Sequence, residues 1–222
     1  GVSMRHYQGG SNSTVAAALH VGALADATGY SSFKAKPTFG GSDESWFVGY
    51  NNADATFSGK LTTKSVTKMG TGNWTIKGNE NTSSITVKEG KLTIFNLSGS
   101  ATTGTMTIGK TASLTGTGTT NSIVAQSGSI LQPGLTENAI GTINTKSNVI
   151  MQNGATFIVN VCAASNSKLN VKGSIFTMAG NDTIVIAPQD GRTFIVGEKL
   201  TLFPGTKPAS GWIIKSTDGS LW

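Results

Sequence analysis

Short runs in which apolar and small polar residues alternate recur along most of this 222-residue chain. From residue 85 the order repeats: Ile85-Thr-Val87, a Lys-Glu-Gly turn and Leu92-Thr-Ile94, then Met106-Thr-Ile108, Gly-Lys-Thr-Ala and Leu114. The stretches 124–130, 149–159 and 169–175 keep the same order of strand, glycine-bearing corner and strand. Alternation with a period of two marks a half-buried strand whose apolar side chains share one face. Gly and Asn between the runs supply the backbone conformations of sharp corners. The apolar anchors Leu92, Leu114, Ile130, Phe157 and Ile175 stand about 16–27 residues apart, within the range of solenoid repeats. One such repeat cannot bury its own apolar face, whereas repeats stacked at the ~4.8 Å strand spacing share a core. No stretch has a convincing helical period. The best candidate is Val15-Ala-Ala-Ala-Leu19, where alanine favours helix, but alternation through His20 to Leu24 predicts strand there.

Composition supports the same class. Charged residues make up 13% of the chain and glycines number 29, against averages of about 25% charged and about 7% Gly. Gly, Ser, Thr and Asn fill about 100 of the 222 positions. Leu, Ile, Val and Phe are nevertheless too numerous and too evenly spread for a disordered tail. No apolar run approaches the roughly 18 residues of a membrane-crossing helix, so no membrane insertion by this segment is expected. The formal charge of +6 comes from lysines scattered singly among Thr, Gly and Asn, with only Arg5 and Arg192 as arginines. Nucleic-acid binding is therefore not expected. The lysines are read as solvating a β surface and blunting its edges, with mild attraction to acidic glycans left open.

The phrases Phe57-Ser-Gly-Lys-Leu61, Val66-Thr-Lys-Met-Gly-Thr-Gly-Asn-Trp74-Thr-Ile76-Lys-Gly-Asn79 and Ile85-Thr-Val87-Lys-Glu-Gly90-Lys-Leu92 resemble the autotransporter-associated β-strand repeat. That family's pattern is a strand, Lys, a Gly-x-Gly corner, Trp, a strand ending in Gly-Asn, and a strand with Gly-x-Leu. The resemblance runs from about residue 43 onward and more loosely from Leu19. It implies an all-β chain wound as a right-handed parallel β-helix, a single-stranded solenoid of about ten coils at roughly 20 residues each. It also implies export to the surface of a Gram-negative bacterium or beyond. On this reading residues 1–18 are an N-terminal tail or cap, and 19–222 are a repeat domain that forms part of a larger exported protein. The family's membrane β-barrel has no counterpart in 222 residues, which leaves the secretion route open. The segment is expected to be a monomer, or to associate end to end through an open last coil.

Parallel β-helices also host polysaccharide lyases and hydrolases, so a catalytic site is an alternative to a purely structural role. A calcium-assisted lyase needs converging carboxylates and a base. The eleven acids show no Asp-x-Asp pair and no recurrence at the repeat spacing. Asp43 and Glu44 are adjacent, and consecutive strand residues face opposite sides. Asp182 and Asp190 are the best candidates for the paired carboxylates of glycoside hydrolysis, without Trp or Arg around them to grip a sugar. His6 and His20 precede the regular repeats and lie near no nucleophile phrase. Cys162 follows a strand-like run and is read as an inert thiol. No catalytic residue, metal ligand or cofactor is therefore expected.

Aromatic residues are the remaining binding candidates, since their apolar bodies stack on sugar rings. Trp46, Phe47 and Tyr50 cluster before Asn51-Asn52, and Trp46 and Tyr50 are taken as the candidate contact residues for a glycan or protein partner. The competing reading places Trp74 in the repeat core, Trp46 on a coil end, and Trp212 and Trp222 over the last coil, because solenoids need caps. The expected function is a non-catalytic stalk or adhesive segment of a cell-surface protein. The alternative is an accessory glycan-binding or spacer module of a polysaccharide-degrading enzyme.

Overall fold

The computed structural model describes residues 18–25, 34–35, 45–78, 81–96, 99–195, 197–209 and 212–217. Among these the chain is all-β, without a helix, and its strands pair in parallel. Three ladders account for most of the pairing; beside them Lys34–Ala35 pairs with residues 60–61, and residues 62–63 pair with 81–82. The first joins Ala18–Val21, Ser45–Val48, residues 65–68, 84–87 and 105–108, Ser122–Ala125, Val149–Met151 and Phe176–Met178. The second joins Ala55–Phe57, Asn73–Ile76, residues 91–94 and 113–116, Ile130–Pro133, Thr156–Val161, Thr183–Pro188 and Ile213–Ser216. A shorter third ladder includes Thr119–Thr120, Thr142–Thr145 and Lys168–Val171. Each strand meets its counterpart from the next repeat, an arrangement compatible with a β-solenoid.

The alternation read from sequence is the alternation of burial. Trp74 and Ile76 point inward from Asn73–Ile76, while Asn73 and Thr75 stay half-buried on the outer side. Trp74 lies opposite Leu92, Leu92 opposite Leu114, Leu114 opposite Leu131 and Leu131 opposite Phe157. Apart from Trp74 at 2%, these side chains are fully closed from solvent. Burying a side chain of this size contributes roughly 1.5–3 kcal/mol, and stacking gives every repeat a share of one core.

Two of the five anchors sit one residue away from their expected place. Ile130 is a half-buried outer residue and Leu131 takes the core position. Ile175 is 49% exposed and Phe176 points inward. Both sites place two large apolar residues side by side, so alternation alone does not say which one faces the core. A slip of one residue exchanges the faces, and the register with Leu114 and Val149 decides it. The repeat length also drifts. Partners are 27 residues apart between Ala18 and Ser45, about 20 apart in the next repeats and 26–27 apart in the later ones. Eight strands therefore fill each of the first two ladders among the described residues, where about ten coils were expected.

Among the described residues a charged side chain occupies an inward strand position. Lys68 stands between Val48 and Val87 in the first ladder and is 1% exposed. Its ammonium donates to the carbonyls of Gly70 at 2.5 Å and Glu89 at 3.1 Å, and also to that of Gly72. Those carbonyls belong to two stacked corners that turn the chain from the first ladder to the second, Gly70 and Gly72 in one and Glu89 in the next. Gly90 makes the same turn one repeat on with a φ of 66°. A Cβ there would lie 2.5–2.6 Å from the carbonyl oxygens of Thr71 and Gly70, so the stacked corners leave room only for glycine.

Candidate binding site

The aromatic cluster before Asn51 splits between the two faces of one strand. In Ser45–Val48, Trp46 lies opposite Leu19 and Val66 and packs against the core. Its indole nitrogen is buried without a hydrogen-bond partner among the described residues. Phe47 points the other way and stacks on His20 of the neighbouring strand, with ring centroids 4.5 Å apart and planes 10° apart. Gly49, with a φ of 107°, then turns the chain and carries Tyr50 over the same outer surface. The Tyr50 ring lies 5.3 Å from His20, and its hydroxyl is 3.0 Å from His20 Nδ1.

Backbone pairing fixes this geometry. The Gly49 amide donates to the Val21 carbonyl and the Asn51 amide to the Gly22 carbonyl, both at 3.2 Å. One corner is thereby seated on the previous one. Between them His20, Val21, Gly22 and Tyr50 line an open concavity of about 260 Å³. Among the described residues no Asp, Glu, Lys or Arg side chain lines it. Asn51 borders it: a Cβ built on Gly22 would lie 3.5 Å from the Asn51 Cβ and Cγ. The arrangement offers an aromatic wall with a hydroxyl and an imidazole at its rim, suited to holding a small ring that is apolar on one face and polar at its edge.

Of the two contact candidates named from sequence, the structure brings Tyr50 to this site and turns Trp46 away from it. His20 and Phe47 take the place beside Tyr50. The sequence signal for them was the register of Leu19-His20-Val21 on Trp46-Phe47-Val48, visible only once the two runs are recognised as consecutive strands. Trp74 is a core residue whose indole N–H donates to the Leu24 carbonyl at 3.0 Å. Trp212 is half-buried against the core. Trp222, Asp43, Glu44 and His6 lie outside the described residues.

The carboxylate pair is not brought together. Asp182 precedes and Asp190 follows the extended strand Thr183–Pro188, which at ~3.3 Å per residue separates them by roughly 20 Å. The carboxylate of Asp182 is fully buried and accepts hydrogen bonds from the amides of Ala155 at 2.9 Å and Ala179 at 2.6 Å. It ties one repeat to the next. Cys162 is half-buried just beyond the strand Thr156–Val161. Among the described residues no three His, Cys, Asp or Glu side chains gather as a metal site would require. No known family model matches this chain, and no curated protein sequence matches it either.

Proposed function

We propose that this chain is a non-catalytic segment of an exported surface protein of a Gram-negative bacterium, wound as a right-handed parallel β-helix and acting as a stalk or adhesive surface. The observation that carries this reading is the in-register stacking of Trp74, Leu92, Leu114, Leu131 and Phe157. The column begins with Trp74 and Leu92 of the phrases that resemble the autotransporter-associated repeat. A column of this kind makes a stiff body whose outer positions are free to vary, which suits extension and contact along its faces. The test is antibody labelling of intact cells that produce the protein, before and after brief external protease treatment. Labelling of intact cells that disappears with protease is the expected result, and labelling only after permeabilisation would remove the proposal.

A second reading, an accessory glycan-binding module of a polysaccharide-degrading enzyme, is favoured by the His20–Phe47–Tyr50 cluster. It differs in its neighbours. A catalytic domain would lie elsewhere in the same polypeptide, and the native protein isolated from culture would release sugars from the polysaccharide it binds.

A further inference from the structure

We infer that the concavity between His20 and Tyr50 is a sugar subsite that takes one ring of an uncharged polysaccharide. The inference rests on the adhesive reading and names the contact for it. A pyranose presents a C–H face and a rim of hydroxyls, so it is held by an aromatic surface with donors and acceptors at its edge. Tyr50 is 46% exposed and supplies the surface, and its bond to His20 fixes the polar edge. When the tyrosine hydroxyl donates to Nδ1, its oxygen remains free to accept and Nε2 carries the ring proton as a donor. The ring stack on Phe47 holds His20 in place, so little ordering is left for the ligand to impose.

Size and charge narrow the ligand. About 260 Å³ lies below the roughly 300–1,000 Å³ of enclosed small-molecule pockets, room for one ring of a chain that continues into solvent. A uronic acid or sulfated sugar would call for an Arg or Lys at hydrogen-bond distance, and none lines this surface among the described residues. Attraction of the chain's net charge of +6 to acidic polymers is a separate, salt-sensitive effect.

Affinity electrophoresis of the whole chain through gels containing galactomannan, xyloglucan or dextran, with alginate and pectate gels beside them, tests the site. Three variants accompany it: Tyr50→Ala removes the surface, Tyr50→Phe removes only the hydroxyl, and Gly22→Leu fills the concavity. Gly22 has an ordinary φ, and its added Cβ meets the Asn51 side chain at normal contact distance. Thermal unfolding followed by circular dichroism checks that each variant keeps its fold. Retardation in at least one neutral gel is expected, reduced at least tenfold by Tyr50→Ala and Gly22→Leu and severalfold by Tyr50→Phe. Retardation that all folded variants retain overturns the site and leaves the adhesive reading with a different face. Retardation confined to the acidic gels and abolished by salt overturns it as well. No retardation in any gel removes both the subsite and glycan adhesion, while the stalk reading still stands or falls on cell-surface labelling.

Discussion

The early repeats, residues 45–116, and the later ones, 122–188, have the same inside and different outsides. On the first ladder the outer positions of three early repeats are Ser65 and Thr67, Ser84 and Thr86, and Thr105 and Thr107, stacked in register. Hydroxyls pair along the stack, Ser65 Oγ donating to Ser45 Oγ at 2.9 Å and Thr105 Oγ1 lying 3.1 Å from Ser122 Oγ. In the later repeats the same rank becomes Val124 and Ile150, the latter 41% exposed. The second ladder presents Ile158 and Val185 in the same way. Inward positions stay mostly apolar in both halves, with Lys68 the exception described above. The outer rank needs only β-branched shape to suit a strand, so Thr, Val and Ile interchange there without touching the core.

If the two halves share one core, truncating either should be costly to a similar degree. Phe157→Ala in the later half should lower stability by about 3–5 kcal/mol, and Leu114→Ala in the early half by about 2–5 kcal/mol. Both side chains are fully buried in the second ladder. Urea unfolding followed by tryptophan fluorescence and by circular dichroism measures this. A Phe157→Ala protein whose midpoint is unchanged by both probes would show that the later half has no share in the common core.

Polar groups buried in each half come next. Asp182→Asn keeps the shape of the side chain but sets an amide N–H₂ where a carboxylate accepted two backbone hydrogen bonds. Hydrogen bonds to charged groups contribute about 1.5–3 kcal/mol each, so a loss of at least that of one bond is expected in the same urea experiment. A variant as stable as the parent would mean that the amides of Ala155 and Ala179 do not depend on the charge.

Lys68 is the counterpart in the early half, and pH isolates it. Burial pushes its amine below the ordinary value of 10.5, while the charges of Glu89 and Asp54 oppose that push. The unfolded chain therefore holds this proton more tightly than the folded one. Below the folded pKa both states are charged and the fold bears the desolvation cost, which is relieved as pH climbs toward 10.5. Lys68→Met should cost about 1–3 kcal/mol at neutral pH, because three corner carbonyls lose their donor. The stability gap between parent and variant should then widen as pH rises toward 10.5. A gap that narrows would reverse the sign of the burial effect.

These residues also mark how far the sequence could be read. Leu92 and Leu114 were legible because each stands alone among polar neighbours, so the period of two leaves one choice of face. Ile130-Leu131 and Ile175-Phe176 were not, because two apolar neighbours make the faces equivalent until a partner strand sets the register. Lys68 escaped for a different reason. A lysine following Thr67 reads as a solvated surface residue, and only the three-dimensional corner gathers carbonyls around its ammonium. At the candidate site Tyr50 was legible as an aromatic beside Asn51-Asn52. His20 was not, since it is 30 residues away and becomes a neighbour only through strand pairing.

The smallest expected effect is the sharpest test of the contrast between inside and outside. Thr107→Ile gives an early repeat the outer residue of a later one, and Ile150→Thr does the reverse. Both positions face outward in the first ladder, between the buried pairs Met106 and Ile108 and Val149 and Met151. Isoleucine and threonine are both branched at Cβ and keep the same χ1 restriction in a strand. Neither exchange removes core volume or strands a buried polar group, so each should move stability by no more than about 0.5 kcal/mol. Solubility should respond instead, since Thr107→Ile extends the exposed apolar rank and Ile150→Thr shortens it. The urea midpoint and the concentration at which scattering rises measure the two effects separately. A loss of ~2 kcal/mol from either exchange would mean that the outer ranks carry packing of their own, and the division of labour between the two faces would fail.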